Sequence, residues 1–343
     1  FFMWWFIGRD DPVVETIEYH APDGMNCLEL AFAYKGHATN QDVIPLLIEL
    51  ARQGYLSISC ENKKGTDFSI TLIRSSYEGT KENERLFFNG LKKIATGPVI
   101  HRSDLKDRFY KTPEAILKTI NTPENKTKLF HSNSLNKGWI LWVLAVVVFG
   151  FAYFLPGYQY SYDWLEVGFG LMSIGVFGVS IYMLCADTGQ KLSLLIGAFL
   201  LLLSIGLSYL FVWIPVTYAD RFYQLACIVS YITCAILVFF SAFLTKRTPY
   251  GTEILGRIRG FKRFLETAEK ERLEMLVEEN PDYFYEILPY TYVLNVSDKW
   301  VKNFKSIACE PPSWYTNDND SYFDIIAFQH IMNSTIASAS NSM

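Results

Sequence analysis

Six basic residues stand between positions 246 and 263 against a single acid, Glu253. They follow directly on an apolar run, so the chemistry they offer is electrostatic. Each cation held near an anionic bilayer surface contributes about 1 kcal/mol. Lys246, Arg247, Arg257, Arg259, Lys262 and Arg263 are therefore candidate contacts for anionic lipid headgroups. The plainer reading, and the favoured one, is that they are the excess of positive charge that fixes the orientation of a membrane protein. A second group lies just downstream, where Phe261, Phe264, Glu269, Arg272, Tyr290 and Trp300 combine large rings with charges and are read as a candidate protein-interaction surface. Within it, Glu266, Glu269 and Arg272 have the spacing of ion pairs on a solvated helix face.

Other chemistries find no constellation. There is no phosphate-binding Gly-Lys-Ser/Thr loop, no GxSxG elbow, no HExxH and no carboxylate pair with a fixed partner, so we expect no catalytic residues and no enzyme. Cys27, Cys60, Cys185, Cys227, Cys234 and Cys309 form no CxxC pair, and His20, His37, His101, His131 and His330 are isolated. A zinc site needs such residues clustered, so neither a metal nor a cofactor is expected, and the cysteines read as reduced, packed thiols. Asn125, Asn295 and Asn333 begin N-x-S/T triplets that are read as chance matches.

The elements that would position these residues are set by composition. Of 343 residues, 50% are hydrophobic, 16% aromatic and 19% charged, with a mean hydropathy of +0.13 and a net charge of −4. That balance points to membrane segments alternating with polar domains, and the small net charge gives no reason to expect a polyanionic partner. Four runs, 138–155, 165–184, 192–214 and 222–244, have cores free of charge and are long enough to span a bilayer. Transport of ions or protons would need ionisable groups within them. Ser204, Ser208, Gln224, Ser230 and Thr233 read instead as helix contacts, and Gly168, Gly175 and Gly178 share a face that would permit close packing. The loop PGYQYSYDW has no Lys or Arg, and the next has only Arg221, whereas Lys128 and Lys137 precede the first span and TKR follows the last. The positive-inside rule thus places both large polar regions in the cytoplasm. The opening FFMWWFIGRDDP reads as the end of a truncated membrane helix over residues 1–8, with Trp4 and Trp5 at the interface.

The polar region 19–136 contains TNQDVIPLLIELARQGYLSISCENKKGTDFSITLI. Thr39 or Asn40 can cap a helix that buries Val43, Leu46, Leu47, Leu50 and Ala51 and ends at Gly54. Leu56, Ile58 and Cys60 then alternate, as do Phe68, Ile70 and Leu72 after an NKKG turn, which predicts a hairpin. With a short helix at Cys27 to Tyr34 before it, this is the order of a winged helix. The helix before the wing carries Gln41, Asp42, Glu49, Arg52 and Gln53, acidic on balance, with Lys63 and Lys64 alone on the wing. Phosphate contact wants several cations on the docking face, so nucleic acid is not the expected partner. Thr112-Pro113-Glu114 and Thr122-Pro123-Glu124 mark further helix starts. In the region 245–310, Ile254, Ile258, Phe261, Leu265 and Ala268 recur at helical spacing, and Pro281 and Pro289 break the later pattern into shorter helices. Residues 311–343 read as a partly disordered tail.

Gly260, Phe261, Phe264, Ala268, Glu269, Arg272, Pro281, Phe284, Leu288, Pro289, Tyr290, Leu294, Val296 and Trp300 together resemble the signature of the YciQ-like predicted membrane proteins, a bacterial family described by a domain of unknown function. The stretch APDGMNCLELAFAYKGHATNQDVIPLLIELARQGYLSI is similar to that family's first cytoplasmic region. The chain departs from the pattern at Thr291, where the family usually has Ala, and has no long Gly/Ser-rich end. The resemblance implies an extracytoplasmic domain before the first helix and no established activity. The expected fold is mainly α: a polytopic protein of the bacterial cytoplasmic membrane with an α+β winged-helix-like cytoplasmic domain, a four-helix transmembrane region and a small helical C-terminal domain. The expected role is a membrane-anchored scaffold whose partners are the lipid bilayer and an unidentified protein. A small-solute transporter or channel, and a membrane-tethered winged-helix transcription regulator, stand as alternatives.

Overall fold

The computed structural model describes residues 11–60, 68–95, 97–105, 108–132, 140–148, 150, 164–185, 191–214, 217, 220–242, 245–305, 307, 310–317 and 325–342. The stub at 1–8, the NKKG turn with Lys63 and Lys64, and the loop 156–163 lie outside the described residues, as does most of 138–155 beyond 140–148.

Helix α1 (Cys27–Lys35) starts at a reciprocal cap, in which the Asn26 side chain accepts from the Glu29 amide and Glu29 accepts from the Asn26 amide. It stops at Gly36, whose φ of 77° only glycine adopts without strain. The apolar face read as one helix is divided into α2 (Asn40–Val43), capped at Thr39, and α3 (Leu46–Arg52). Pro45 sits at the division, where it cannot donate to the preceding turn. Strands β1 (Leu56–Cys60) and β2 (Phe68–Leu72) pair antiparallel, Ile58 opposite Ile70 and Cys60 opposite Phe68, as the alternation predicts. Helix α4 (Glu82–Ile94) buries Phe87, Phe88 and Leu91. Strand β3 (Val99–His101) adds to β2, and α5 (Arg102–Leu105) and α6 (Lys111–Ile120) follow. Helix α7 (Pro123–Leu129) begins at proline, with the Thr122 hydroxyl accepting from the Asn125 amide at 3.2 Å.

Next comes a unit formed by residues 130–248 together with residues up to Asp11. Residues 140–148 are helical, followed by α8 (Trp164–Cys185), α9 (Lys191–Ser208), a π-helical turn (Tyr209–Trp213) and α10 (Arg221–Ala242). Among the described residues two stretches, Leu194–Phe211 and Arg221–Ser241, are long and apolar enough to cross a membrane, and Gly168–Leu184 is a shorter apolar helix. Their interior is small: Ala145, Ile174, Cys227, Cys234 and Val238 form its core. Gly178 is the glycine of the predicted face that a neighbour fills, since the Trp142 ring and Val238 occupy the place of a Cβ, while Gly168 and Gly175 border open space. The Ser180 hydroxyl donates to the Gly197 carbonyl at 2.9 Å, drawing α8 and α9 together. Leucines and phenylalanines such as Leu195, Phe199, Leu202 and Leu225 cover the outside.

The chain then returns to the first unit, which unites residues 12–129 with 249–343. Helices α11 (Pro249–Thr267), α12 (Lys270–Glu279), α13 (Tyr283–Val293) and α14 (Ser297–Phe304) follow: α11 and α13 pack on α1, α13 also on α3, and α12 and α14 pack on α13. Pro289 is carried inside α13 rather than ending it. The helix ends instead at Val293, and Asn295 beyond its Leu294 cap has a φ of 57°. Strand β4 (Tyr315–Asn317) pairs parallel with β1, completing a four-stranded sheet in the order β3-β2-β1-β4. Where Asn, Ser and Ala led us to expect disorder, α15 (Ile325–Ser342) forms and buries Phe328, Ile331, Met332 and Thr335. Those four recur at three- and four-residue spacing, a helix face that the polar composition conceals.

Candidate functional site

The aromatic residues read as an interaction surface are the core. Phe261 and Trp300 have no exposed area, and Phe264 and Tyr290 are at most 9% exposed. Trp300 lies parallel to Phe284 at 6.3 Å and packs on Phe304 at 4.6 Å between ring centres. The Phe261 ring meets Tyr290 edge-on at 5.9 Å. Rings of this size stabilise most when fully buried, so this signature codes a fold rather than a binding face. Of the six, Glu269 is exposed and Arg272 half-buried, its guanidinium 4.3 Å above the Tyr19 ring.

Five of the six basic residues are taken up by partners within their own unit. Arg257 bonds Glu18 at 2.8 Å and Asp23 at 2.6 Å, Arg263 lies 3.7 Å from Glu15, and Lys262 reaches the Tyr34 hydroxyl. In the other unit Arg247 covers the Phe130 ring at 4.9 Å and Lys246 is 3.8 Å from Asp11. Arg259 is exposed, with no ion pair among the described residues. The acids that meet α11 belong to residues 12–23, which run along the helix as a strap. Gly256 and Gly260 face the carbonyls of Val14 and Thr16, and a Cβ at either glycine would collide with that backbone. The invariable need here is close approach, which explains the glycines without invoking lipid.

Helix α3, which a groove-docking module would present to DNA, is buried at every residue from Leu46 to Ala51. That burial includes Glu49, a carboxylate enclosed among apolar neighbours. A cleft of about 450 Å3 lies between the Pro22–Gly24 turn, the end of α3, the start of α4 and α13. Two carboxylates are almost wholly enclosed there. Glu84, 2% exposed, accepts from Asn26 Nδ2 at 2.8 Å, Tyr77 OH at 2.8 Å and Gln53 Nε2 at 3.1 Å, all of them neutral donors. Glu49, 3% exposed, accepts from Arg52 Nη2 at 3.2 Å through Oε1, while its buried Oε2 meets no hydrogen-bond donor among the described residues. The Nε of Arg52 is likewise unsatisfied.

Burial pushes the Glu49 carboxyl above the ordinary glutamate range, with the Arg52 guanidinium opposing and Glu84 reinforcing the shift. Burial also raises the hydroxyls of Tyr77 and Tyr290, helped by Glu84 at the first and by Glu49 at the second. Tyr290 closes the cleft from α13 and donates to the Met25 carbonyl at 2.9 Å. Glu286 stands at the mouth, 3.5 Å from the His20 ring, and Lys81 is held by Glu29 at 2.6 Å. Among the described residues no three His, Cys, Asp or Glu side chains could jointly hold a metal ion. Sequence reasoning weighed Glu49 and Arg52 as readers of DNA and passed over Tyr77, Glu84 and Glu286. The available signal was an acid set inside LLIELA, apolar on both sides.

Residues 184–304 match the family described as the predicted membrane protein DUF2207, C-terminal domain. No curated protein and no solved structure matches the chain. The matched segment contains the signature from Gly260 to Trp300 that makes the core of α11 to α14, together with the helices α9 and α10. By that match, and by the apolar helices that precede the signature, residues 184–304 are similar to the C-terminal domain of the DUF2207 predicted membrane proteins, a family whose description assigns no biochemical function.

Proposed function

We propose that the chain is a multi-pass membrane-anchored interaction module, in which one composite domain, assembled from the polar segments before and after the membrane helices, serves as a scaffold on the cytoplasmic face of a bacterial cell membrane. The observation that carries this reading is the pairing of β4 with β1 and the packing of α13 on α1 and α3. A domain whose strands and helices come from both sides of a membrane region can fold only if the region returns the chain to the face it left, which requires an even number of crossings. The two stretches long and apolar enough to cross, Leu194–Phe211 and Arg221–Ser241, are compatible with that parity, as are the four runs 138–155, 165–184, 192–214 and 222–244 read from the sequence. The cytoplasmic side follows from the Lys and Arg bias of the loops. A winged-helix-like lobe used for protein contact rather than DNA fits an α3 that is covered on all sides.

Reporter tags beside Asn40 and Asn295 in the intact chain are expected on the same face of the bilayer, the cytoplasmic one. Tags on opposite faces would exclude both the parity and the composite domain. Crosslinking in cells followed by pull-down of the intact chain is expected to return a reproducible protein partner, and recovery of membrane lipid alone would end the scaffold reading.

A further inference from the structure

We infer that the cleft at Glu49 and Glu84 is a binding site for a small aliphatic amine in its protonated form. The excess of carboxylates and the unmet Oε2 of Glu49 lead there, while the unmet Nε of Arg52 is a donor that an ammonium leaves as it is. Three carboxylates line the cleft, those of Glu49, Glu84 and Glu286, against the guanidinium of Arg52 and the ammonium of Lys81. Lys81 is neutralised by Glu29, and Arg52 serves Glu49 alone. Among the described residues Glu84 thus has neutral donors and no cation, and Glu49 keeps one buried oxygen with no hydrogen-bond donor. A buried carboxylate left in this state is costly unless a cation or donor arrives. An ammonium supplies both, with three N–H donors and a full positive charge.

The rest of the cleft selects within the class. Ile287, Met25 and the Tyr290 ring give an apolar wall suited to methylene groups, and Glu286 at the mouth can meet a second ammonium. About 450 Å3 lies within the range of small-ligand sites. A bare divalent ion fits less well, because no three candidate ligands converge among the described residues. The site needs the folded composite domain but neither its sidedness nor a protein partner, so its failure would leave the proposed function standing, and the reverse holds as well.

The test is titration calorimetry of the intact chain in detergent with spermidine and with 1,4-diaminobutane, using glutarate as an anionic control. Saturable binding of an amine and none of glutarate is expected. Glu49→Gln and Glu84→Gln, which keep shape and remove charge, should each weaken it about tenfold or more, whereas Glu253→Gln, exposed and outside the cleft, should bind as the unmodified chain does. Thermal melting of each variant establishes that it is folded. Absence of saturable binding, equal binding by the two cleft variants, or equal loss in Glu253→Gln would each overturn the inference, the last by revealing diffuse attraction to acidic surface.

Discussion

The apolar helices α8 to α10 and the composite domain are both rich in aromatic and aliphatic side chains, yet they place them oppositely. In the helices α8 to α10 many large residues point outward, with Leu195 at 68% and Phe222 at 76% exposure, and the buried core, shared with Ala145, is small: Ile174, Cys227, Cys234 and Val238, beside the buried Ser173, Ser180 and Ser204. In the composite domain the large residues are inside, and Trp300, Phe261, Phe284 and Phe304 are fully enclosed. The difference is the one expected between helices that face lipid and a domain that faces water. Lipid tails are as apolar as leucine, so helices in a bilayer gain little by hiding leucines and associate through small residues and hydrogen bonds. Water penalises every exposed ring, so the polar segments must gather theirs.

The sharpest way to break this contrast is to truncate one large residue in each region. Trp300→Ala should destabilise the composite domain by about 3–5 kcal/mol, seen as early loss of its denaturant transition. Leu195→Ala should leave the stability of the detergent-solubilised chain within about 0.5 kcal/mol. Comparable losses at both positions would mean that α9 is packed in protein rather than facing lipid. A smaller effect tests the strap. Gly260→Val drives a side chain into the backbone at Thr16 and should cost about 1–3 kcal/mol. Residues 12–18 should then become a preferred protease site, whereas unchanged cleavage would show that the strap is not held by α11. Arg257→Gln, which removes the partner of Glu18 and Asp23, should cost up to about 1 kcal/mol and do so less at high salt, because those pairs are partly exposed.

The same contrast explains what could be read in advance. The apolar runs announced themselves by composition, and the β1–β2 hairpin by a period of two, because both signals are local. Thr122-Pro123 gave the start of α7 for the same reason. The pairing of β4 with β1 joins Tyr315 to Ile58 across the whole membrane region, and nothing in a three-residue strand declares its partner. Phe261, Tyr290 and Trp300 were visible as a cluster of rings, but whether rings form a core or a face depends on what else packs there, and that was the first polar segment. Glu49 was legible as an oddity inside LLIELA. Its neighbour Glu84 lies thirty-five residues later on another helix, so the pair exists only once α3 meets α4.

The finest test of the polar interior concerns Glu49 itself. Its carboxyl binds a proton more tightly in the folded chain than in the unfolded one, since burial disfavours the charged form. The folded state therefore holds the extra proton, and its contribution to stability is complete below the ordinary glutamate value of about 4.3 and declines as pH rises through the higher folded value. Glu49→Gln abolishes the titration, so its stability relative to the unmodified chain should improve steadily with rising pH across that window and level off above it. The comparison is read from denaturant midpoints at a series of pH values for the two proteins side by side. A difference that is flat with pH would show that Glu49 titrates in the fold as it does in the unfolded chain, with Arg52 offsetting the effect of burial.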